Sequence, residues 1–262
     1  MSHTISVAGL SDIGKARSRN EDSLALLPGL GVAVVADGMG GHPGGDIASR
    51  IAAETAVSIL GARLAATPEN DATPELLSDA MRQSIRGAHE ALRQHVVEHP
   101  ELDGMGTTIT ALVVQPGSGR YALGHVGDSR AYRLRSGGLT RMTRDDTWVQ
   151  DRVEAGQISM EQAKRHPYAH LLTQCLGLPD APVPHVTNGI AADGDVYLLC
   201  TDGLVGMVED EGIQAIVSDH LVDAEAPRDP RSALDALIEA ANNSGGYDNI
   251  TAALVVVDGP TT

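Results

Sequence analysis

Four aspartates in the sequence stand where an apolar run ends or is about to begin. Asp37 ends the run VAVVAD and precedes a glycine, and Asp202 ends VYLLCTD in the same way. Asp128 ends ALGHVGD, and Asp248 stands just before NITAALVVV. Each alone fits a turn-forming aspartate, but an unpartnered carboxylate beside buried strands is costly. Because strand ends of an antiparallel meander share an edge of the sheet, we expect the four carboxylates to converge there.

The glycine-rich stretch VVADGMGGHPGG, residues 34–45, does not fit a phosphate-cradling loop. Such loops carry a Lys-Ser/Thr pair or the spacing G-x-G-x-x-G. Here no lysine follows, and Pro43 stands where the third glycine would be. We therefore predict that Asp37 is a metal ligand and that Gly38 offers its carbonyl to the same ion.

The predicted ligands are hard oxygens, without a histidine or cysteine cluster of zinc spacing beside them. Carboxylates, a carbonyl and water favour Mg²⁺ or Mn²⁺. A pair of such ions about 3.5–4 Å apart is a general device for phosphoester hydrolysis. The residues alone therefore predict a metal-dependent phosphohydrolase and do not name its substrate.

Composition and charge narrow the classes of function. The chain has 262 residues, 42% of them hydrophobic and 21% charged, as in ordinary globular domains. A formal charge of −16 disfavours nucleic acid and anionic membrane as partners. No apolar run approaches the roughly 18 residues of a membrane helix, and no secretory signal is visible. Cys175 and Cys200 are interpreted as buried thiols. We expect a cytoplasmic monomer with no membrane span.

The order of predicted elements indicates an α+β fold, a sandwich of two antiparallel β-sheets flanked by helix pairs. A helix is predicted from Asp46, as its cap, to about residue 65, and another from Thr73, with Pro74 in its first turn. Further helices are predicted near residues 209–219 and 229–243. Strands are predicted at residues 4–12, 31–37, 107–115, 120–128, 130–135, 139–142, 195–202 and 249–257. The polar segment 144–185 interrupts the strands and is predicted to be an insertion over one edge.

Other titratable side chains are interpreted more conservatively. The second helix has apolar residues at steps of three and four. His89, His95 and His99 lie on or near it and are interpreted as solvent-facing or packing residues rather than ligands.

In the stretch RSRNED, Arg17 and Arg19 are typical of a solvated loop, yet a guanidinium near a cation site can hold two phosphate oxygens. If the segment is extended, the two arginines share one face.

Eight motifs in register give a more specific result. They are RSRNED, VVADGMGGHPGG, GMGTTITALVV, HVGDSRAYRLR, LTRMTRDDTWV, RHPYAHLLTQCLG, LLCTDGLVGMV and YDNITAALVVV, within residues 12–257. In these the chain resembles the metal-dependent protein phosphatases (PPM family), the type 2C serine/threonine phosphatases, in their bacterial form. The resemblance implies a single phosphatase domain over residues 1–262, with a mobile flap at about 144–185 that sets specificity.

The resemblance also implies the residues of a metal centre with two tight Mn²⁺ or Mg²⁺ ions. By position, these are the side-chain ligands Asp37, Asp202 and Asp248, the carbonyl ligand Gly38, the ligand through water Glu21, and their neighbours Asp22 and Asn249. Arg17 resembles the arginine that holds the phosphate, and Asp128 a ligand of a third, weaker ion.

Two positions depart from the family's pattern. Met39 replaces the histidine that protonates the leaving oxygen in eukaryotic members. The acid is therefore unassigned, with His42 the nearest candidate and an exposed loop histidine as the alternative. Gly206 stands where many relatives have an acidic ligand of the third ion. We expect that ion to be weak, or to be held by flap residues such as Asp145 or Asp146.

The function implied by the resemblance is hydrolysis of phosphoserine and phosphothreonine on proteins by water activated between two metal ions. The partners would be phosphorylated proteins and a cognate bacterial Ser/Thr kinase, which the enzyme opposes. Two alternatives remain open. One is a phosphatase for a single signalling partner, such as a phosphorylated anti-sigma-factor antagonist. The other is a module that has lost catalysis and docks phosphoproteins, against which the retained acidic set and Arg17 argue.

Overall fold

A computed structural model describes residues 3–39, 44–67, 73–222 and 228–259 of the chain. Its strands in these ranges form two antiparallel sheets. In chain order they are β1 (Thr4–Asp12), β2 (Asp22–Leu27), β3 (Val32–Asp37), β4 (Ile109–Val114), β5 (Arg120–Val126), β6 (Arg130–Arg135), β7 (Gly138–Arg141), β8 (His185–Ile190), β9 (Val196–Cys200) and β10 (Ile250–Asp258). Sheet I has the order β1-β10-β9-β6-β7, and sheet II has the order β2-β3-β4-β5-β8.

Helices cover the outer faces of the two sheets. The α-helices of the described ranges are α1 (Gly45–Ala65), α2 (Pro74–Glu98), α3 (Trp148–Glu154), α4 (Met160–Lys164), α5 (Asp202–Val205), α6 (Asp210–Leu221) and α7 (Pro230–Asn243). The pair α1 and α2 packs on sheet II, and the pair α6 and α7 packs on sheet I. None of these helices is both long and apolar enough to cross a membrane. The predicted sandwich with outer helix pairs is confirmed.

The core has three layers, one under each helix pair and one between the sheets. The sequence contains no phenylalanine, so these layers are built mainly from small aliphatic side chains. Between the sheets the largest groups are Tyr121 and Tyr197, whose ring centroids are 5.5 Å apart. Cys175 and Cys200 are free and buried, as predicted.

The beginnings of α1 and α2 test the predicted caps. Thr73 caps α2, accepting a hydrogen bond from the Leu76 amide at 3.3 Å, which confirms the prediction. The predicted cap of α1 is wrong, because Gly44 occupies that position at φ +89° and Asp46 lies in the first turn. The left-handed backbone at residue 44 favours glycine. Asp46 still stabilises the helix from the first turn, where a negative charge meets the positive end of the dipole.

Two strands of sheet II were not predicted from the sequence. Strand β2 has only four apolar residues in DSLALL, next to the charged run that precedes it, and all six of its residues are half-buried. Strand β8 is an edge strand with the polar sequence HVTNGI, four of whose six residues are exposed. The predicted insertion therefore gives way to a strand at its last residue, His185.

Strand register brings the acidic residues to one end of the sandwich. In sheet II, Asp22 at the start of β2 lies opposite Asp37 at the end of β3. In sheet I, Cys200 at the end of β9 lies opposite Arg130 at the start of β6 and opposite Ala252, the third residue of β10. Asp128, Asp202 and Asp248 follow or precede these strand ends within two residues. The predicted convergence at a common edge is confirmed.

Candidate metal centre

A cleft of about 710 Å³ opens at this edge of the sandwich. The floor of the cleft is acidic, and one wall is formed by the segment before β8. The floor is lined by Arg17, Glu21, Asp37, Gly38, Asp128, Asp202, Asp248 and Asn249, and the wall by His170, Leu171, Leu172, Cys175 and Leu178. The structure thus places Glu21, Asp37, Gly38, Asp128, Asp202 and Asp248 at the cleft, while Asp22 lies beneath it.

The carboxylates of the floor repel one another. Burial raises the pKa of Asp37 well above its ordinary range, and the negative charges of Asp22, Asp202 and Asp128 raise it further. The Asp37 and Asp202 carboxyl groups are close enough to share a proton in a hydrogen bond. The pKa of Asp128 is raised for the same reasons, first by burial and then by Asp202 and Asp145. This cluster favours either bound protons or a bound cation.

Asp22 lies directly behind this cluster and is supported by hydroxyl groups. Burial raises its pKa to about 7, although hydrogen bonds from Thr251 and Thr201 oppose the rise. The Thr201 hydroxyl donates to Asp22 Oδ2 at 2.8 Å. Since Asp22 is opposite Asp37 across the β2–β3 ladder, its charge acts on Asp37 from below.

The donor set of the cleft fits a hard divalent cation. The possible ligands are carboxylate oxygens and the peptide carbonyl of Gly38, which lines the cleft, and such oxygens suit Mg²⁺ or Mn²⁺. The thiol of Cys175 is not a competing ligand, because burial raises its pKa to about 11 and keeps it protonated at neutral pH. Arg17, which also lines the floor, donates from Nη2 to Asp248 Oδ2 at 2.8 Å and lowers the pKa of the neighbouring Asp202 only in part.

Residue 38 must be a glycine because three backbone segments meet there. The Gly38 amide donates to the Glu21 carbonyl at 3.1 Å. A Cβ at residue 38 would lie 2.2 Å from the Gly45 carbonyl oxygen and 2.6 Å from that of Glu21. The Glu21 carboxylate itself lies against the start of α1, with Oε1 3.1 Å from the Cβ position of Gly45. The close approach places the Glu21 side chain and the residue 38 peptide beside Asp37.

Asn249 attaches the segment before β2 to the start of β10. Its Oδ1 accepts from the Glu21 amide at 2.8 Å. Its Nδ2 donates to the carbonyls of Ile13 and Arg19, each at 3.0 Å. Asn249 thereby fixes the positions of Arg17 and Glu21 relative to Asp248.

The two arginines of this segment do not share a face. Residues 13–21 form turns rather than an extended strand, so the predicted alternation is wrong. The Arg17 side chain is 43% exposed and lines the cleft, whereas that of Arg19 is 68% exposed and pairs with Asp46 on α1 at 3.4 Å.

The expectation that Asp145 or Asp146 binds a third ion is wrong. Both carboxylates are buried and already have partners. Arg130 donates to both oxygens of Asp145, at 3.3 and 2.9 Å, and Arg141 donates to the same group. The oxygens of Asp146 bind the Gly127 amide at 3.0 Å and His185 Nε2 at 2.9 Å.

Sequence reasoning overlooked one histidine of the cleft. His170 Nδ1 lies 3.8 Å from Asp202 Oδ2, and the side chain is 87% exposed. The motif RHPYAH contains it, but nothing in the local pattern shows that the segment folds over the acidic floor. The predicted candidate acid, His42, lies outside the described residues.

Comparison with known proteins gives one consistent set of relatives. A family model described as protein phosphatase 2C matches residues 13–239. The serine/threonine protein phosphatase PstP of Mycobacterium tuberculosis is 39% identical over 251 residues. That match covers 96% of this chain and 44% of PstP, so the chain spans less than half the length of this relative. Protein phosphatase PhpP of Streptococcus pneumoniae is 34% identical over 257 residues, covering 94% of this chain and 95% of PhpP.

A solved structure agrees with this chain in fold. It is the catalytic domain of the serine/threonine protein phosphatase PstP in complex with two manganese ions, with a TM-score of 0.81 and 34% identity. The match covers 98% of this chain and 100% of that one.

We expect the metal-free protein to lose stability as the pH rises from about 4 to about 7. The folded-state pKa of Asp22 is about 7, against an ordinary value of 3.8, and the pKa values of Asp37 and Asp128 are raised as well. In this window the folded chain binds more protons than the unfolded chain, so the free energy of unfolding falls with rising pH. Divalent cations replace those protons. Mn²⁺ should therefore raise Tm more at about pH 7.5 than at about pH 5, measured by thermal unfolding against EDTA. Equal increments at both pH values would contradict this.

Proposed function

Since this chain belongs to the protein phosphatase 2C family, we propose that it is a metal-dependent enzyme that hydrolyses phosphoserine and phosphothreonine on proteins. The observation that carries the proposal is the convergence of Asp37, Asp202 and Asp248 with Arg17 in one cleft. The named relatives support the same activity. A Ser/Thr kinase would supply the substrates, and this enzyme would oppose it.

The proposed centre holds two Mn²⁺ or Mg²⁺ ions. Asp37, Asp202 and Asp248 would bind through their side chains, Gly38 through its carbonyl, and Glu21 through water. The two manganese ions in the PstP structure support this number. Such ions, when bound, supply a water molecule of lowered pKa and positive charge beside the phosphoryl oxygens. Asp22 adds negative charge below Asp37 and strengthens its attraction for a cation.

Arg17 would hold the phosphate of the substrate. Its guanidinium has five donors in a planar fork, of which the structure uses one toward Asp248. The remaining donors can bind two phosphoryl oxygens in a bidentate manner. The bond to Asp248 orients the side chain toward the proposed ions before substrate arrives, which lowers the entropic cost of binding.

We propose that residues 1–262 form one phosphatase domain and that the segment starting at residue 144 is its substrate flap. The base of the flap is fixed by hydrogen bonds from the amides of Asp146 and Thr173 to the carbonyls of Gly127 and Asp146, at 2.7 and 2.8 Å. Its later part places Leu171, which is 51% exposed, at the cleft. An apolar wall opposite an acidic floor suits a phosphorylated side chain carried by a peptide.

Asp128 is proposed to bind a third and weaker ion. It follows Gly127, which has φ +110° and is packed against Thr108, and its carboxylate faces Asp202. Residue 206 is a glycine and offers no second carboxylate. Mg²⁺ keeps several waters and relies on few protein charges. A site with Asp128 as its one carboxylate besides Asp202 is therefore expected to bind the ion weakly.

Hydrolysis of p-nitrophenyl phosphate should require Mn²⁺ or Mg²⁺ and stop in excess EDTA. Asp37→Asn should lower kcat by at least about 100-fold, because it removes a charge on which the ions depend. Asp79→Asn is the matched control, since Asp79 is 72% exposed on α2. Steady-state kinetics decides the matter: turnover in EDTA, or an active Asp37→Asn variant, would contradict the two-metal proposal.

Arg17→Ala should mainly raise KM for phosphopeptides, because Arg17 binds the phosphate in the ground state as well as in the transition state. Loss of a bidentate charged contact corresponds to roughly tenfold or more. Arg19→Ala is the control, since Arg19 pairs with Asp46 away from the cleft. Kinetics on one phosphoserine peptide would show the difference. A lower kcat at unchanged KM would assign Arg17 a different role.

Asp128→Asn should leave two tight ions bound while lowering turnover of phosphopeptides. Isothermal calorimetry with Mn²⁺ should resolve two tight sites in both proteins and a weaker third in the parent alone. Asp180→Asn, at an exposed position of the flap, is the control. Three comparably tight sites in the parent would disprove the weak-site proposal, and unchanged phosphopeptide turnover would remove Asp128 from the reaction.

A further inference from the structure

Three potential metal ligands converge at the end of α2, outside the cleft. His95, Glu98 and His99 each offer one ligand atom, and these atoms all lie within 4.8 Å of one another. His95 is in the last turn of the helix, and His99 is the residue that follows it. The sequence predicts solvent-facing or packing histidines on this helix. That holds for His89, whose Nδ1 accepts from the Gly177 amide at 3.3 Å, but it does not describe this cluster.

The spacing of the two histidines is suited to chelation. Residues i and i+4 lie on the same face of a helix, and the two rings have centroids 4.4 Å apart with planes tilted by 40°. The His99 amide donates to the His95 carbonyl at 2.8 Å, so the last helical hydrogen bond holds the two residues one turn apart although the backbone of His99 already leaves the helix. The sequence HVVEH has the pattern H-x-x-E-H, in which metallopeptidases bind zinc through both histidines.

Neighbouring side chains orient two of the three groups. Gln94 Nε2 donates to Glu98 Oε1 at 2.9 Å, which leaves the second carboxylate oxygen for an ion. Glu101 Oε1 lies 3.5 Å from His99 Nδ1. If this carboxylate moves to hydrogen-bond distance of Nδ1, it can fix the tautomer of the imidazole and leave Nε2 free for a metal.

The donor set selects a different ion from that of the cleft. Two imidazole nitrogens and one carboxylate oxygen suit Zn²⁺, with water as the fourth ligand, whereas Mg²⁺ prefers oxygen alone. Bonds of about 2.0–2.2 Å place tetrahedral ligand atoms roughly 3.3–3.6 Å apart. The observed limit of 4.8 Å therefore needs only small side-chain rotations. The groups lie at an exposed helix end rather than in a cleft, which indicates binding rather than catalysis.

We propose that His95, Glu98 and His99 form a Zn²⁺ site, separate from the Mn²⁺ or Mg²⁺ centre and independent of the proposed phosphatase activity. The ion would cross-link the last turn of α2 to the residue beyond it and so stabilise the helix end.

The site lies at the start of a connection that reaches the cleft. After His99, the Leu102 amide donates to the His99 carbonyl at 3.0 Å, and the Met105 amide to the Leu102 carbonyl at 3.0 Å. A Cβ at Gly44, the cap of α1, would lie 3.0 Å from Leu102 Cδ2. Two residues after Leu102, Gly104 lines the cleft itself. A bound ion would therefore hold the segment that forms one rim of the cleft.

The test uses Co²⁺ as a spectroscopic substitute for Zn²⁺, in saturating Mg²⁺ that occupies the oxygen ligands of the cleft. The parent should bind one equivalent of Co²⁺ with the visible absorption of a tetrahedral nitrogen-containing site, and Zn²⁺ should displace it. His99→Ala and Glu98→Gln should each weaken binding by at least tenfold. His220→Ala is the matched control, a histidine on α6 that bonds Ser232 at 3.1 Å. Circular dichroism and hydrolysis of p-nitrophenyl phosphate with Mn²⁺ should be unchanged in His99→Ala.

Two outcomes would overturn the proposal. One is a parent chain that binds no Co²⁺ under these conditions, or binds it equally well in His99→Ala and Glu98→Gln. The other is loss of the Co²⁺ band in Asp37→Asn, which would place the ion in the cleft. Retention of the Co²⁺ band in Asp37→Asn supports the Zn²⁺ site, even if that variant and the parent are both inactive as phosphatases. Failure of the Zn²⁺ proposal can therefore be distinguished from failure of the proposed phosphatase activity.

Discussion

The repulsion among carboxylates at one edge of the sandwich is the constraint on which the rest of the structure depends. Burial raises the pKa values of Asp22, Asp37, Asp128 and Asp202, and the charges of neighbouring aspartates raise them further. Such an arrangement opposes folding, so it must be stabilised by contacts elsewhere. Those contacts are the three apolar layers and the paired strand ends, which fix the carboxylates in place whether or not the charge is balanced.

The polar groups around the cluster show how local structure supports it. Hydroxyl donors approach Asp22 from sheet I, while the amide of Asn249 joins the segment before β2 to the start of β10. Each bond satisfies a polar group that the close approach of the two sheets would otherwise leave without water. The same bonds set the direction of the proposed ligands, so a shift of the sheets would disturb stability and the site together. Pre-formed geometry of this kind is what binding of small, demanding cations requires.

Much of this architecture could be predicted from the sequence because the decisive signals are local. Apolar runs ending in Asp37 and Asp202 indicate strands that stop at a polar edge, and Thr73-Pro74 indicates the start of a helix. Signals that depend on tertiary contacts could not be read in this way. β8 is polar because it is an edge strand, and the cap of α1 depends on a left-handed glycine rather than on Asp46.

At the site, too, residues with a local sequence signal could be predicted and those positioned by tertiary contacts could not. The acidic residues were predicted because each ends or precedes a strand, whereas the approach of His170 depends on a segment that folds back over the floor. The partners of Asp145 and Asp146 come from β6, β7 and β8, so the sequence gives no indication that these carboxylates are engaged. Arg17 and Arg19 separate because a turn, rather than a strand, holds them. Nothing in the pattern of α2 shows that Glu101 lies beside the ring of His99.

The bonds made by Asn249 have a consequence for the order of events during synthesis. They join residues 228 to 236 positions apart along the chain, and Arg17 reaches Asp248 across 231 positions. A ribosome that has released β1 to β9 therefore holds a chain whose proposed phosphate-binding arginine has no partner and whose first strand has no neighbour in sheet I. Contacts of such sequence separation form late and slow the last step of folding. The Arg17–Asp248 pair and the pairing of β1 in sheet I are therefore completed only after β10 emerges.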